Sequence, residues 1–544
     1  MFTLFPAKSV ITMNPSMPTA EAVLVAPNGR IVEVGTIDSM APWLDAHPHQ
    51  VDDQFADQII CPGFIDPHLH PTMAAVLLPM HFITAMRWKL PWGTVEPTTS
   101  EAGFSARMAE LHAELPEGEP LFIWGYHQLW HGDMSRERIN ATNRERPIVV
   151  WHRSFHELYM NDGAMQMSHA DQADVRPGSQ IDLQQGHFFE NGLGFAIKAL
   201  NPWILADDKY KAGLERLKQV VHYGGHTSIG DMATGLFDFE SEASALANLL
   251  EGDDVPFRTR LVAHGMRMST GKSLEEAVAL TDSLPERNSH RLRFGKHIKL
   301  FSDGAFFSQL AQVQEPGYID GHHGEWLTPP EILENQIRAY WHAGYQIHVH
   351  ITGDLGLELT LDILQKMQDE KPRFNHKFTI EHFGFSTPEQ ILRIKALGAQ
   401  VSANVYYLHE LSEIYACQGI GWERASQMSR IGSCFAQGIN TTLHSDFTMA
   451  PAEPLNSAWV AATRKNHAGD VIGAPERLTA EQALQAITIN AAHVLGFAND
   501  TGSLRAGKYA DFTVLAENPL QDAEALKDIE IVSTVFEGKV FRLN

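Results

Sequence analysis

Five short stretches of this chain end in residue types that hold metal ions or move protons. They are His68-Leu69-His70, the Lys299 segment H-I-K-L-F-S-D-G, His348-Val349-His350, Glu381-His382 and His444-Ser445-Asp446. In an extended strand, residues two apart share a face, so His68 and His70 present both imidazoles to one side, as two ligands of one cation must. Asp66 lies on that face too and is placed to orient a ligand. His348 and His350 repeat the arrangement. His350 is nearer the end of its run and is the better ligand, with His348 one layer deeper. Glu381 and His382 are neighbours and point to opposite faces, so only one can look inward, and His382 is chosen. Asp446 comes last in its run, where a carboxylate can ligate a cation, orient a water and take its proton.

Lys299 admits two readings. One is an ion pair with Asp303, because an inward lysine is costly unless its charge is answered. The other is a desolvated, neutral amine that takes up CO2 and becomes a carbamate, an anionic donor able to bridge two cations. Each of these residues, taken alone, is equally well a packed core side chain. Together they spell a dinuclear centre, with two cations about 3.5–4 Å apart sharing a hydroxide.

Composition agrees with imidazole and carboxylate chemistry: there are 28 histidines and only three cysteines, Cys61, Cys417 and Cys434, none in a C-x-x-C. Such cysteines fit a reducing compartment, and the N-terminal residues read as neither a secretory leader nor a membrane span, so a cytoplasmic location is expected. The formal charge of −24 is a poor surface for nucleic acid or anionic membranes. A small-molecule substrate is the expected partner, and a homo-oligomer is compatible with the sequence.

The elements that must position these residues alternate. β-rich runs fall at 64–70, 227–232, 257–264, 297–303, 345–350, 378–383, 399–405 and 440–446, with amphipathic helical stretches between most of them. That is the pattern of an α/β protein with a (β/α)8 TIM-like barrel, whose active site lies at the C-terminal ends of the strands. The gap of about 155 residues between the first two runs requires a large insertion after strand 1, at about 85–205, with strands of its own at PLFIWGYHQLW and PIVVWHRSF. Residues 1–60 and 497–544 are both β-rich, with a hairpin signal at Pro27-Asn28-Gly29-Arg30, and are expected to build one composite β-sandwich around the barrel at 61–496. Gly502, Gly507 and Asp511 read as turn and sandwich residues.

PGFIDPHLH, IKLFSDGA, HVHITGD, TIEHFGF, LHSDFTMAPAEPL, LTAEQALQAITINAAHVLGF and GSLRAGKYADFTVL span nearly the whole chain. In that order and spacing they resemble the amidohydrolase superfamily, and within it the amidohydrolase-3 or YtcJ-like branch that includes N-substituted formamide deformylases. The resemblance implies a barrel with a terminal β-sandwich and metal-dependent hydrolysis of a C–N bond of amide type by a metal-bridging hydroxide. It implies His68, His70 and Asp446 on one divalent metal ion and His350 and His382 on the other, with a CO2-derived carbamate on Lys299 between them. Zinc is the default for such a donor set, and Asp446 is the catalytic base.

The chain departs from the family pattern at His444, where glycine is usual, and at Gly353-Asp354-Leu355-Gly356. His444 would tune the base or touch substrate. In the insertion His156 is the expected substrate contact, with Asp303, Trp88 and Trp130 as further candidates, and Trp88, Trp92, Trp130 and Trp151 are offered as an apolar wall. Two other readings stand beside the hydrolase: a mononuclear metal-dependent deaminase of the same superfamily, and a non-catalytic binding protein derived from an amidohydrolase. A glycoside hydrolase is disfavoured, because paired strand-end carboxylates are missing.

Overall fold

The computed structural model describes residues 1–176 and 178–543. Pro177, in the expected insertion, and Asn544, at the end of the expected sandwich segment, lie outside the described residues.

Eight parallel strands follow one another around a nearly closed barrel: β1 (Phe64–Leu69), β2 (His226–Thr234), β3 (Arg258–His264), β4 (Leu292–Phe301), β5 (Gln346–Ile351), β6 (Thr379–His382), β7 (Gln400–Ala403) and β8 (Thr441–Leu443). Most of their residues are buried, as strands covered by helices outside and filled by side chains inside must be. Pairing runs without a break from β1 to β8. The remaining seam is tied just beyond the strands, where Asp446 N donates to His68 O and His70 N donates to Phe447 O, both at 3.0 Å. The Asp66 carboxylate reinforces that seam by accepting from the Ser445 hydroxyl at 2.5 Å and the Ser445 N–H at 3.2 Å.

Between β1 and β2 the chain leaves the barrel. Helix α1 (Pro71–Leu77) follows β1, and a six-stranded sheet then forms in the order Ile181–Asp182, His187–Phe189, Glu157–Met160, Ile148–His152, Leu121–Tyr126, His81–Phe82. Helix α2 (Asn191–Ile204) brings the chain back over the barrel mouth, and α3 (Asp207–Tyr223) leads into β2. α3 lies hard against α1: a Cβ at Gly213 would fall 1.9 Å from the Ala75 carbonyl oxygen, so only glycine permits the approach. The inserted sheet is pinned to the barrel by Arg153, 1% exposed, which forms an ion pair with Glu410 at 2.5 Å and donates from Nε to Met449 O at 3.0 Å.

The two chain ends form one mixed sheet. Strands Phe2–Ile11, Thr19–Val25, Ile31–Gly35 and Ile59–Pro62 come from one end, and Phe512–Leu515, Ile531–Phe536 and Lys539–Arg542 from the other. The join is antiparallel, with Ile60 opposite Val514 and Cys61 opposite Thr513. Phe5, Val23, Ile60, Phe512 and Val535 share one apolar cluster, so neither end has a complete core alone. The expected hairpin is present, with Gly29 at φ +75° in its turn. Arg258 at the base of β3 fastens this sheet to the barrel through a buried ion pair with Asp511 and a second, at 3.0 Å, with Glu537. All three cysteines are free, and no helix among the described residues is long and apolar enough to cross a membrane.

Candidate metal centre

The strand register brings the reactive residues together. Lys299 on β4 lies beside His264 on β3 and His348 on β5, and His350 lies beside Glu381 on β6. His68, His70, Lys299, His350, His382 and Asp446 all line one cavity of about 260 Å³ at the C-terminal mouth of the barrel. The ligand atoms of His68, His70 and Asp446 lie within 4.8 Å of one another, and so do those of His68, His382 and His444. His70 Nε2 is 3.1 Å and His68 Nε2 3.5 Å from Asp446 Oδ1, while His382 Nδ1 is 3.6 Å from Oδ2.

The local backbone aims these groups. His382 (φ +73°) and Asp446 (φ +54°) adopt left-handed conformations that a non-glycine residue holds only when its surroundings enforce them. At His382 this changes the reading taken from strand alternation. Glu381 and His382 both face the barrel interior: Glu381 does so as an ordinary strand residue, and His382 because the chain turns left-handed as the strand ends. Glu381 was passed over by that reading, yet it organises the floor. Its Oε2 accepts from His68 Nδ1 and its Oε1 from His348 Nδ1, each at 2.7 Å. Burial pushes the Glu381 carboxyl up, but the His348 hydrogen bond and the surrounding positive charge outweigh it and hold it below the ordinary value.

The site fits divalent cations. His68 Nε2, His70 Nδ1, His350 Nε2 and Lys299 Nζ are buried without a hydrogen-bond partner. Groups left in that condition cost free energy unless a ligand answers them. Burial, followed by the neighbouring Lys299 charge, holds His68 and His350 far below the ordinary imidazole value. They are therefore neutral, as metal ligation requires. Burial also lowers Lys299 to about 8, and the charges of Glu381 and Asp446 only partly oppose it. Burial raises the Asp446 carboxyl, but the His70 hydrogen bond and nearby positive charge more than offset this and keep it below its ordinary value.

The insertion walls the cavity with Phe155, His156, Glu190 and α2 residues Leu193 and Ile197. His156, the expected substrate contact, lines it, with Nδ1 2.8 Å from Glu190 Oε2. Burial opposes protonation of His156, but the Glu190 charge and hydrogen bond prevail and raise it above its ordinary value. Trp151 is buried and stacks behind Phe155 with ring centroids 4.7 Å apart.

Four expected contacts lie elsewhere. Asp303 pairs with neither Lys299 nor the cavity. It is fully buried, and its carboxylate accepts from the N–H groups of Thr352, Gly353 and Gln312 at 2.8–3.0 Å, tying the loop after β4 to the loop after β5. Trp88 is fully buried edge-on against Trp124, and Trp130 packs edge-on against His127. His444 lies beneath the centre, with Nδ1 2.7 Å from Ser402 Oγ and Nε2 3.3 Å from His382 Nδ1, where it can support a ligand but not meet substrate. His348 does sit one layer deeper, between Glu381 and His297. His264 was not singled out, although it ends the third run, and the strand-end rule that found the others would have found it.

Over residues 56–542 the sequence matches the family described as "Amidohydrolase family". N-substituted formamide deformylase from Arthrobacter pascens is 23% identical over 543 residues, covering 97% of this chain and 96% of that protein. The putative amidohydrolase YtcJ of Bacillus subtilis (strain 168) is 23% identical over 552 residues, covering 98% and 97%. Among solved structures, an uncharacterized metal-dependent hydrolase from Pyrococcus horikoshii OT3 has the same fold, with a TM-score of 0.73 at 19% identity over 96% of this chain and 99% of that one.

Proposed function

This chain belongs to the amidohydrolase family, and from that premise we propose that it hydrolyses an amide-type C–N bond of a small molecule, N-substituted formamides being the first class to test. The observation that carries the reading is the set of unpartnered, buried donors converging on one cavity floor at the barrel mouth. In this reading His68, His70 and Asp446 would hold one cation and His350 and His382 a second, with Lys299 supplying an anionic oxygen donor as a carbamate. Zinc is the proposed metal. When bound, the cations supply Lewis acidity toward the carbonyl oxygen and a water acidic enough to react at neutral pH.

The protein's own groups do the rest. Glu381 fixes the His68 tautomer so that Nε2 faces the site. Asp446 accepts the proton of the attacking water and returns it to the leaving nitrogen, so that the C–N bond breaks to give an acid and an amine. His156, held by Glu190, meets the substrate from the insertion side. The proposed setting is cytoplasmic, with a small-molecule substrate and no nucleic-acid or membrane partner.

Asp446→Asn tests the assignment. The variant should retain most of its metal and lose about 10³-fold or more in kcat on a formamide and amide panel. Retained turnover would overturn the role given to Asp446. A mononuclear deaminase is the second reading, and one observation favours it: both tight donor groups are centred on His68, with Lys299 and His350 outside them. Metal content separates the two readings. Near two equivalents per chain supports the dinuclear hydrolase, and one equivalent, unaffected by Lys299→Ala, supports the deaminase.

A further inference from the structure

Besides Lys299 on the cavity floor, a second cation, Arg267, lines this cavity without an ion-pair partner among the described residues. Arg267 lies on the short helix Gly265–Ser269 that follows β3, three residues beyond His264, and it lines the cavity from an exposed position at the rim. No carboxylate among the described residues pairs with it. Glu242, the acid whose charge reaches it, is spent on the backbone N–H groups of Gly235, Leu236, Phe237 and Asp238. The other charges of the cavity are committed, Glu190 to His156 and Asp446 to the metal centre.

Two neighbours point the same way. A Cβ at Gly194 would lie 3.7 Å from Arg267 Nη2, so the guanidinium abuts the first turn of α2, where helical N–H groups and the helix dipole favour negative charge. His264, 7% exposed, lines the cavity with Nδ1 buried and unpartnered. The same cavity is lined by the apolar side chains of Phe155, Leu236 and Leu327. A chain of formal charge −24 does not draw anions by its overall field, so attraction of an anion here must be local.

We propose that Arg267, with His264 beside it, receives a carboxylate carried by the substrate away from the scissile bond, so that the site selects monoanionic amides over their neutral counterparts. This rests on the amide-hydrolase reading above. An arginine fork matches a carboxylate in two parallel hydrogen bonds, and the apolar wall accommodates the carbon skeleton between the two ends.

The test uses the metal-loaded, full-length protein and matched pairs: the N-formyl derivatives of glycine, leucine and phenylalanine, and the corresponding carboxamides. Binding is measured by calorimetry and turnover by amine release. The wild type should favour the carboxylate of at least one pair by about tenfold in Kd and in kcat/KM. Arg267→Gln should erase that preference, mainly through KM, and Arg267→Glu should reverse it. A carboxylate seated on the metal instead would keep its preference in Arg267→Gln, and that result overturns the proposal, as does equal binding of every pair by the wild type. The two readings fail separately. Preferential binding without cleavage leaves the anion site standing and removes the hydrolase, whereas cleavage without preference does the reverse.

Discussion

Glu381 sets the orientation of the imidazoles above it, because a single carboxylate accepts from both His68 and His348 at 2.7 Å. Replacing it with glutamine turns one acceptor into a donor, so one of the two histidines must reverse its tautomer or lose its partner. For His68 the reversed tautomer puts a hydrogen on the nitrogen that faces the site. Glu381→Gln is therefore expected to weaken metal binding about 10- to 100-fold, read by competition with a chromophoric chelator. Unchanged affinity would reduce Glu381 to a packing role. At this scale the sequence exposed most of the proposed ligands, since H-x-H on a strand and a reactive residue at a strand end are local patterns. It hid what depends on φ or on distant partners. Alternation excluded Glu381 because nothing local announces the left-handed His382, and Asp303 resembled a site residue although its three N–H donors come from loops 9–50 residues away.

The element that closes the site is the insertion, and its hold on the barrel depends on Arg153. The guanidinium is buried over the Phe307 ring at 4.9 Å and paired with Glu410 on helix Tyr406–Ile414. Glu410→Ala strands that charge in a dry interface, a loss of about 3–5 kcal/mol, to be read as a lower urea midpoint. A variant as stable as the wild type would show that water reaches Arg153. All eight barrel strands were legible because strands covered on both sides read as apolar runs between helical stretches. Two strands of the insertion, Leu121–Tyr126 and Ile148–His152, were visible for the same reason. His81–Phe82, Ile181–Asp182 and His187–Phe189 were not, because two or three residues carry no periodicity. Trp88 and Trp130 were offered as wall residues since composition cannot tell which tryptophans face a cavity and which pack inside the fold.

Across the whole molecule, barrel and terminal sheet are joined by a buried charge cluster. Arg258, 1% exposed, reaches from β3 to Asp511 and Glu537, and Asp511 Oδ1 also accepts from Glu537 N at 2.9 Å. Asp511, read from the sequence as a turn and sandwich residue, is thus a clasp between the two units. Asp511→Ala should cost about 3–5 kcal/mol in chemical denaturation, because Arg258 and one backbone donor lose their acceptor together. A loss below about 1 kcal/mol would mean Glu537 alone suffices. The union of the two ends was legible because neither offered enough strands to stand alone, whereas the clasp was not, since its partners lie about 250 residues apart in sequence.

The same sheet dictates a timetable. Ile59–Pro62 pairs with Phe512–Leu515, so an edge completed early by the ribosome waits for a partner about 450 residues downstream. At about 5–20 residues per second that wait is roughly 20–90 s, far longer than a hairpin or a helix takes to form. Throughout that interval the nascent chain presents an open strand, and a translation product truncated before Phe512 presents it permanently. An unpaired β-edge of that kind is a template for another chain, so truncated products are expected to aggregate where the full-length protein does not.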